Sequence, residues 1–278
     1  MTTSPENPDA PTAQKVCYRH GDRPTFLACA QCGKPICAEC SVQGTVGQFC
    51  PDCARERGQQ KVVRARGSAG SLARSAPATF AFMCIAIGIY VLTRVSRPIY
   101  GDVLGLFAQQ NALVAAGEWY RIFTPVLVHA SVAHILFNMY ALYQLGPAVE
   151  SRVGMPSYVG LLLAAAGWGG AFAFFLGGPE DVLVGASGAI FGLFGLWLHS
   201  AFRLRDTAFG RSMLSNLGIT LALNLALPFL IPGISWQGHL GGLVAGVLLG
   251  ELWSRVKRPQ RPFVALAMVV LAAVAVLL

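Results

Sequence analysis

Gly185-Ala-Ser187-Gly188-Ala-Ile-Phe191-Gly192-Leu-Phe-Gly195-Leu-Trp-Leu198 is an apolar, glycine-rich run opened by a single hydroxyl. Such a run suits the interior of a membrane bundle, where small residues let backbones approach closely. A polar group at its start then needs a reason, because hydrogen-bonding and ionisable side chains are costly in hydrocarbon and mark functional sites by default. Two further apolar runs open in the same manner, one with His134-Ile-Leu-Phe-Asn138 and one with Gly238-His239-Leu-Gly-Gly242. A serine, a histidine and two more polar side chains are the parts of an acyl-transfer site.

The chain as a whole fits that setting. Of its 278 residues 54% are hydrophobic and 12% charged, whereas soluble domains carry about a quarter charged residues. The deficit predicts an all-α polytopic membrane protein. A spanning helix needs roughly 20 mostly apolar residues. Seven segments are read as spans, at 77–95, 132–150, 157–177, 186–202, 213–231, 238–254 and 262–278. The fourth and sixth are short, and their Gly188/Gly192 and Gly242/Gly246/Gly250 repeats suit helices packed among other helices.

Basic residues predict the orientation. The stretch before the first span, Arg152, the loop Arg203 to Arg211 and the run Arg255 to Arg261 share one side, while the loops 176–184 and 232–237 hold no Lys or Arg. The N-terminus is therefore expected in the cytoplasm and the C-terminus outside. His134, Ser187 and His239 then begin three helices that all enter from the outer face, so they share one shallow depth, and water can reach them. Residues 1–14 are polar, rich in Pro and Thr, and read as disordered, and the first apolar run starts too late for a cleaved signal. The stretch 56–75 reads as a linker whose Arg57, Lys61, Arg64, Arg66 and Arg74 suit anionic lipid; no nucleic acid is expected.

A serine hydroxyl needs a base within hydrogen-bond reach, and His239 is the candidate for Ser187. No acid is well placed for a triad: Glu150 and Glu251 fall at the cytoplasmic ends and Asp181 in a loop. The expected machinery is a Ser–His dyad with its imidazole held by packing, Phe191 lying one turn beyond Ser187. His134 and Asn138, four residues apart, project from one helix face and can serve an oxyanion beside the amides around Ser187. Gly185 and Gly188 leave room for a substrate backbone. His129 reads as a structural hydrogen-bond partner in the outer loop, and Cys84 as packing within the first span. There is no His-Glu-x-x-His for a zincin, and no Asp within a span for an aspartyl dyad. Ala189 breaks the Gly-x-Ser-x-Gly elbow. A channel or transporter would favour paired charges or broken helices deep in the membrane, and these are missing.

Residues 77 to about 256 resemble the rhomboid family of intramembrane serine proteases, on Glu118-Trp-Tyr-Arg121, His129, His134-Ile-Leu-Phe-Asn138, Gly185-Ala-Ser187-Gly188 and Gly238-His239-Leu-Gly-Gly242. The resemblance implies a six-helix bundle plus a seventh C-terminal helix, with Ser187 as nucleophile and His239 as general base. It implies an oxyanion hole from His134, Asn138 and the Ser187 amide. It further implies an interfacial outer loop near 98–131 with structural Arg121 and Glu150, and substrates that are transmembrane proteins. No cofactor is expected for catalysis. Tyr120 and Phe191 depart from residues common in the family, and each keeps an aromatic ring. The rival reading is a catalytically silent relative that binds membrane helices. Arg in excess of Lys and abundant Ala point to a bacterial plasma membrane.

Ahead of the spans, Cys17-x-x-His20, Cys29-x-x-Cys32, Cys37-x-x-Cys40 and Cys50-x-x-Cys53 give eight ligands, enough for two tetrahedral zinc ions. A head this small has little apolar core, so metal would largely fold it. A disulfide framework would need an oxidising compartment, against the expected orientation. The pattern resembles B-box-type zinc fingers, which implies cross-brace pairing of first with third and second with fourth. The zinc would be structural, and a cytosolic protein partner is the expected use of the head. The expected domains are 15–55 (zinc head), 56–75 (linker), 76–256 (protease core) and 257–278 (added helix).

Overall fold

The computed structural model describes residues 15–43, 48–59, 69–95, 97–230 and 233–278. The chain divides into two compact units, Met1–Arg66 and Gly67–Leu278. The stretch read as disordered, 1–14, and the middle of the linker, 60–68, lie outside the described residues.

In the head, β1 (Lys15–Cys17) and β2 (His20–Thr25) pair antiparallel, as do β3 (Val42–Gln43) and β4 (Gln48–Phe49), and α1 (Pro51–Gln59) follows. The α1 helix opens on a proline, whose missing N–H costs nothing in a first turn. Ile36 and Phe49 are the large apolar side chains buried here, and six buried cysteines surround them. That core is too small to hold the fold alone.

The second unit begins with α2 (Ala69–Ser75), so the end of the stretch read as linker is helical: Ala-Gly-Ser-Leu-Ala-Arg-Ser carries good helix formers and places Arg74 in the last turn, where the helix dipole favours a cation. Then come α3 (Pro77–Val95), α4 (Arg97–Phe107), β5 (Gln109–Gln110), α5 (Asn111–Ala115), α6 (Val132–Val153), α7 (Met155–Leu176), β6 (Val182–Leu183), α8 (Ser187–Arg203), α9 (Ala208–Leu230), α10 (Trp236–Arg255) and α11 (Arg261–Ala275). The seven expected segments are thus α3, α6, α7, α8, α9, α10 and α11. Three stretches, Pro77–Val95, Met155–Leu176 and Arg258–Ala275, are individually long and apolar enough to cross a bilayer. Cys84, expected to pack inside the first span, is instead exposed on the outer surface of α3.

Helices α7, α8 and α10 form the centre, with α11 against α7. Glycine makes this possible. A methyl group on Gly242 or Gly246 of α10 would overlap the backbone carbonyl of Gly188 or Gly192 on α8. A neighbouring helix caps another: Glu150 near the end of α6 accepts the Ala78 and Thr79 N–H groups, each at 2.9 Å, satisfying orphan donors in the first turn of α3. Thr79 Oγ1 lies 2.8 Å from the same carboxylate and 2.9 Å from the Tyr158 hydroxyl.

At the opposite end, β5 pairs with β6, tying the loop between α4 and α6 to the segment before α8. Several buried polar groups of this loop find partners within it or on α7, as buried polar atoms require, while Gln109 Oε1 has none among the described residues. Gln109 Nε2 donates to Asn111 Oδ1 and the Gly170 carbonyl, both at 2.9 Å. Arg121 Nε donates to Glu118 at 2.6 Å and its Nη1 to the Ala108 carbonyl at 2.8 Å.

Candidate active site and metal clusters

Ser187 is the first residue of α8 and is partly exposed. The turn before it is held by the outer loop. Gly185 N–H donates to the Pro125 carbonyl at 2.9 Å, and Ala186 N–H to His129 Nε2 at 3.4 Å. Gly185 sits at φ 110°, a conformation that only glycine adopts without strain. A Cβ there would also collide with the His134 imidazole, so this ring lies directly against the backbone two residues before Ser187. Ser131 caps α6 by accepting the His134 N–H at 3.1 Å, and the His129 and His134 rings meet edge to face at 5.1 Å.

His239 lies in the first turn of α10, which Ser235 caps by accepting the Gly238 N–H at 3.1 Å. Its ring stacks on Phe191, with centroids 4.2 Å apart and planes 9° from parallel. Phe191 and Ser187 are neighbours on one face of α8. The Gly188–Gly242 contact locks the two helices just beyond Ser187, bringing the starts of α8 and α10 together. A slot of about 10 Å³ there is lined by Gly185, Ser187, Gly188, Gly238 and Pro125, close to the space one water needs. His239 is 8% exposed, and its Nδ1 has no hydrogen-bond partner among the described residues. The three acids set aside from the sequence are engaged elsewhere: Glu150 with α3, Glu251 with His199 and Arg255, and Asp181 with the Gly178 N–H.

Asn138 is buried one turn beyond His134, and its Nδ2 donates to the His134 carbonyl at 2.9 Å. One of its two N–H groups is therefore used within α6. Sequence reasoning missed Pro125 and Ser235, and gave His129 no place beside the turn that precedes Ser187. The Ser235-x-x-Gly238 spacing before an apolar run is a readable cap signal. The contacts of Pro125 and His129 cross from a loop to a distant segment, and no periodicity reveals them.

In the head, Cys17, His20, Cys37 and Cys40 form one cluster and Cys29, Cys32, Cys50 and Cys53 a second, each with its ligand atoms within 4.8 Å of one another. First pairs with third and second with fourth. His20 Nδ1 faces the sulfurs of Cys17, Cys37 and Cys40 at 3.8, 3.4 and 3.4 Å, and Cys32 and Cys50 sulfurs stand 3.8 Å apart. Tetrahedral sites with metal–sulfur bonds of about 2.3 Å have ligand–ligand edges of about 3.8 Å, so the donor set fits a metal. All seven head cysteines are free. Burial opposes ionisation of Cys17 and Cys29, but backbone N–H donors override it and hold both thiols at about 6. Burial and the neighbouring sulfurs of Cys37 and Cys17 push Cys40 up to about 11. Sulfurs grouped in this way fit a shared cation, whose binding would require them all as thiolates.

The family profile described as Rhomboid domain matches residues 116–256. Rhomboid protease GluP of Bacillus subtilis (strain 168) is 34% identical over 200 residues, which cover 69% of this chain and 39% of that protein. YdcA of the same strain is 38% identical over 143 residues, covering 51% of this chain and 71% of its own length. Rhomboid-like protease 1 of Toxoplasma gondii is 33% identical over 154 residues, about half of each chain. The chain thus spans well under two thirds of the length of GluP and of the Toxoplasma protein. The profile match takes in α6, α7, α8 and α10 with the outer loop that holds the Gly185–Ser187 turn, and on that match the chain belongs to the rhomboid family of intramembrane serine proteases.

Proposed function

We propose that this chain hydrolyses peptide bonds in or near transmembrane segments of other membrane proteins, with Ser187 as nucleophile and His239 as general base. The observation that carries the reading is the packing of α8 on α10, with the His239 ring stacked on Phe191 one turn from Ser187. The imidazole takes the Ser187 proton as the hydroxyl attacks, then returns it to the leaving amine. No carboxylate is needed to hold the ring, since stacking and burial do so. The oxyanion forms at the start of α8, where the first amides lack intrahelical acceptors and the helix dipole is positive. His134, against Gly185, and the second N–H of Asn138 add side-chain donors.

Positive charge on the loops opposite this site favours a cytoplasmic N-terminus and an outer site, in a bacterial plasma membrane. The head (15–55) holds two structural zinc ions and presents a surface to a cytosolic protein. The linker occupies 56–75, the protease core 76–256 and the added helix 257–278.

Cleavage of a single-span model substrate by the purified protein in lipid tests the dyad. Ser187→Ala and His239→Ala are each expected to lower the rate by at least ~10³-fold with the fold retained. Equal cleavage by all three proteins would sink the assignment. Failure of the wild type on several substrates would favour the silent helix binder.

A further inference from the structure

The ends of α6, α8 and α10 remote from Ser187 surround a second, larger cavity of about 290 Å³, with the start of α11 completing its wall. Along α8 its lining, Leu196 to Arg203, lies about 14–24 Å from Ser187, at about 1.5 Å per residue. A single water needs only about 10–15 Å³, so this space admits a larger guest. Arg152 from the last turn of α6, Arg203 from the last turn of α8 and Arg261 from the first turn of α11 all line it. Among the described residues none of the three forms an ion pair with a carboxylate. The nearby Glu251 is occupied by His199 at 3.0 Å and Arg255 at 2.6 Å.

Two side chains of the wall also carry enclosed donors. Arg261 Nε and Trp197 Nε1 are buried without an acceptor. Trp197 is held in place by the Arg152 guanidinium, 5.3 Å from its ring, and Trp253 is fixed by a 3.0 Å hydrogen bond from its Nε1 to the Arg261 carbonyl. Helix dipoles explain cations at the ends of α6 and α8. They do not explain Arg261, which stands at the positive end of α11, nor two buried donors with no acceptor.

We propose that this cavity binds a phosphate group, carried by an anionic lipid headgroup or by a soluble phosphate. Arg152, Arg203 and Arg261, which line it, supply the charge. Guanidinium forks match phosphate oxygens in geometry as well as charge.

The test is native mass spectrometry of the purified full chain, with tryptophan fluorescence reporting on Trp197 and Trp253. The probes are short-chain phosphatidylglycerol, diacylglycerol with the same tails, and inorganic phosphate. Phosphatidylglycerol is expected to bind saturably, and Arg203→Gln and Arg261→Gln each to weaken it ~10-fold or more. Arg205→Gln, the same charge change on a residue outside the cavity wall, should leave it within about twofold of wild type. Arg203 is exposed, so its variant reports even where Arg261→Gln disturbs folding. Inorganic phosphate binding with the same arginine dependence would assign a soluble ligand, and binding of the lipid alone would assign the headgroup. Diacylglycerol binding as well as the anionic lipid, no binding of either phosphate probe, or variants that bind like wild type would overturn the proposal.

Discussion

In the proposed dyad Phe191 takes the place of the missing acid of a triad. It is buried to 3% exposure and covers one face of the His239 ring. In Phe191→Ala the imidazole loses that support. The expected result is a fall in kcat of ~10-fold or more, together with a stability loss of about 3 kcal/mol, read by cleavage assay and thermal unfolding. Phe191→Tyr keeps the ring and should retain most activity; equal kcat for the alanine variant would show that the stack does not position His239. At this scale much was legible. Ser187 and His239 are picked out as polar residues opening apolar runs, and His134 by its spacing to Asn138. The neighbours of those residues were not legible: the His129 contact to Ala186 spans 57 residues, and nothing local encodes it.

Among the elements, glycine repeats on α8 and α10 decide how closely the two helices approach. Gly242→Ala would place a methyl group onto the Gly188 carbonyl, and backbone cannot move aside as a side-chain tip can. A destabilisation of about 1–3 kcal/mol and a marked loss of cleavage are expected. Gly218→Ala on α9 is the contrast, since nothing lies within 4 Å of its added methyl, and it should be neutral or stabilising by up to ~1 kcal/mol. Matching melting curves for the two variants would refute the interlock. The seven long segments and their order were readable from hydropathy, but the short helices α2, α4 and α5 and some helix ends were not. The fifth segment, read as 213–231, begins at Ala208 because the Thr207 hydroxyl accepts the Gly210 N–H at 3.0 Å. A cap of this kind starts a helix among polar residues, where an apolar window is blind.

For the whole molecule, the two units are stabilised by different physics. The bundle buries apolar faces and interlocking glycines, while the head has two four-residue Cys/His clusters that could each hold a metal, around a core of little more than Ile36 and Phe49. Removing metal with a chelator should therefore unfold the head. Limited proteolysis is expected to cut within 15–59 only after chelation, and metal analysis to find two zinc ions per chain beforehand. A head that stays resistant without metal would contradict this account.

The sequence by itself determined the membrane class, the seven helical segments, the polar signatures and the eight head ligands, because composition, periodicity and residue type are local properties. It left the grouping of those ligands to a resemblance, and the fold resolves it: Cys17 and His20 join Cys37 and Cys40 across the second pair. Only the tertiary structure decided that Glu150 caps a helix beginning some 70 residues earlier, that His129 meets the turn before Ser187, and that three arginines from three helices face one cavity. Each of these is a meeting of distant segments, set by how helices pack in space, and local sequence pattern carries no record of which neighbours that packing will supply.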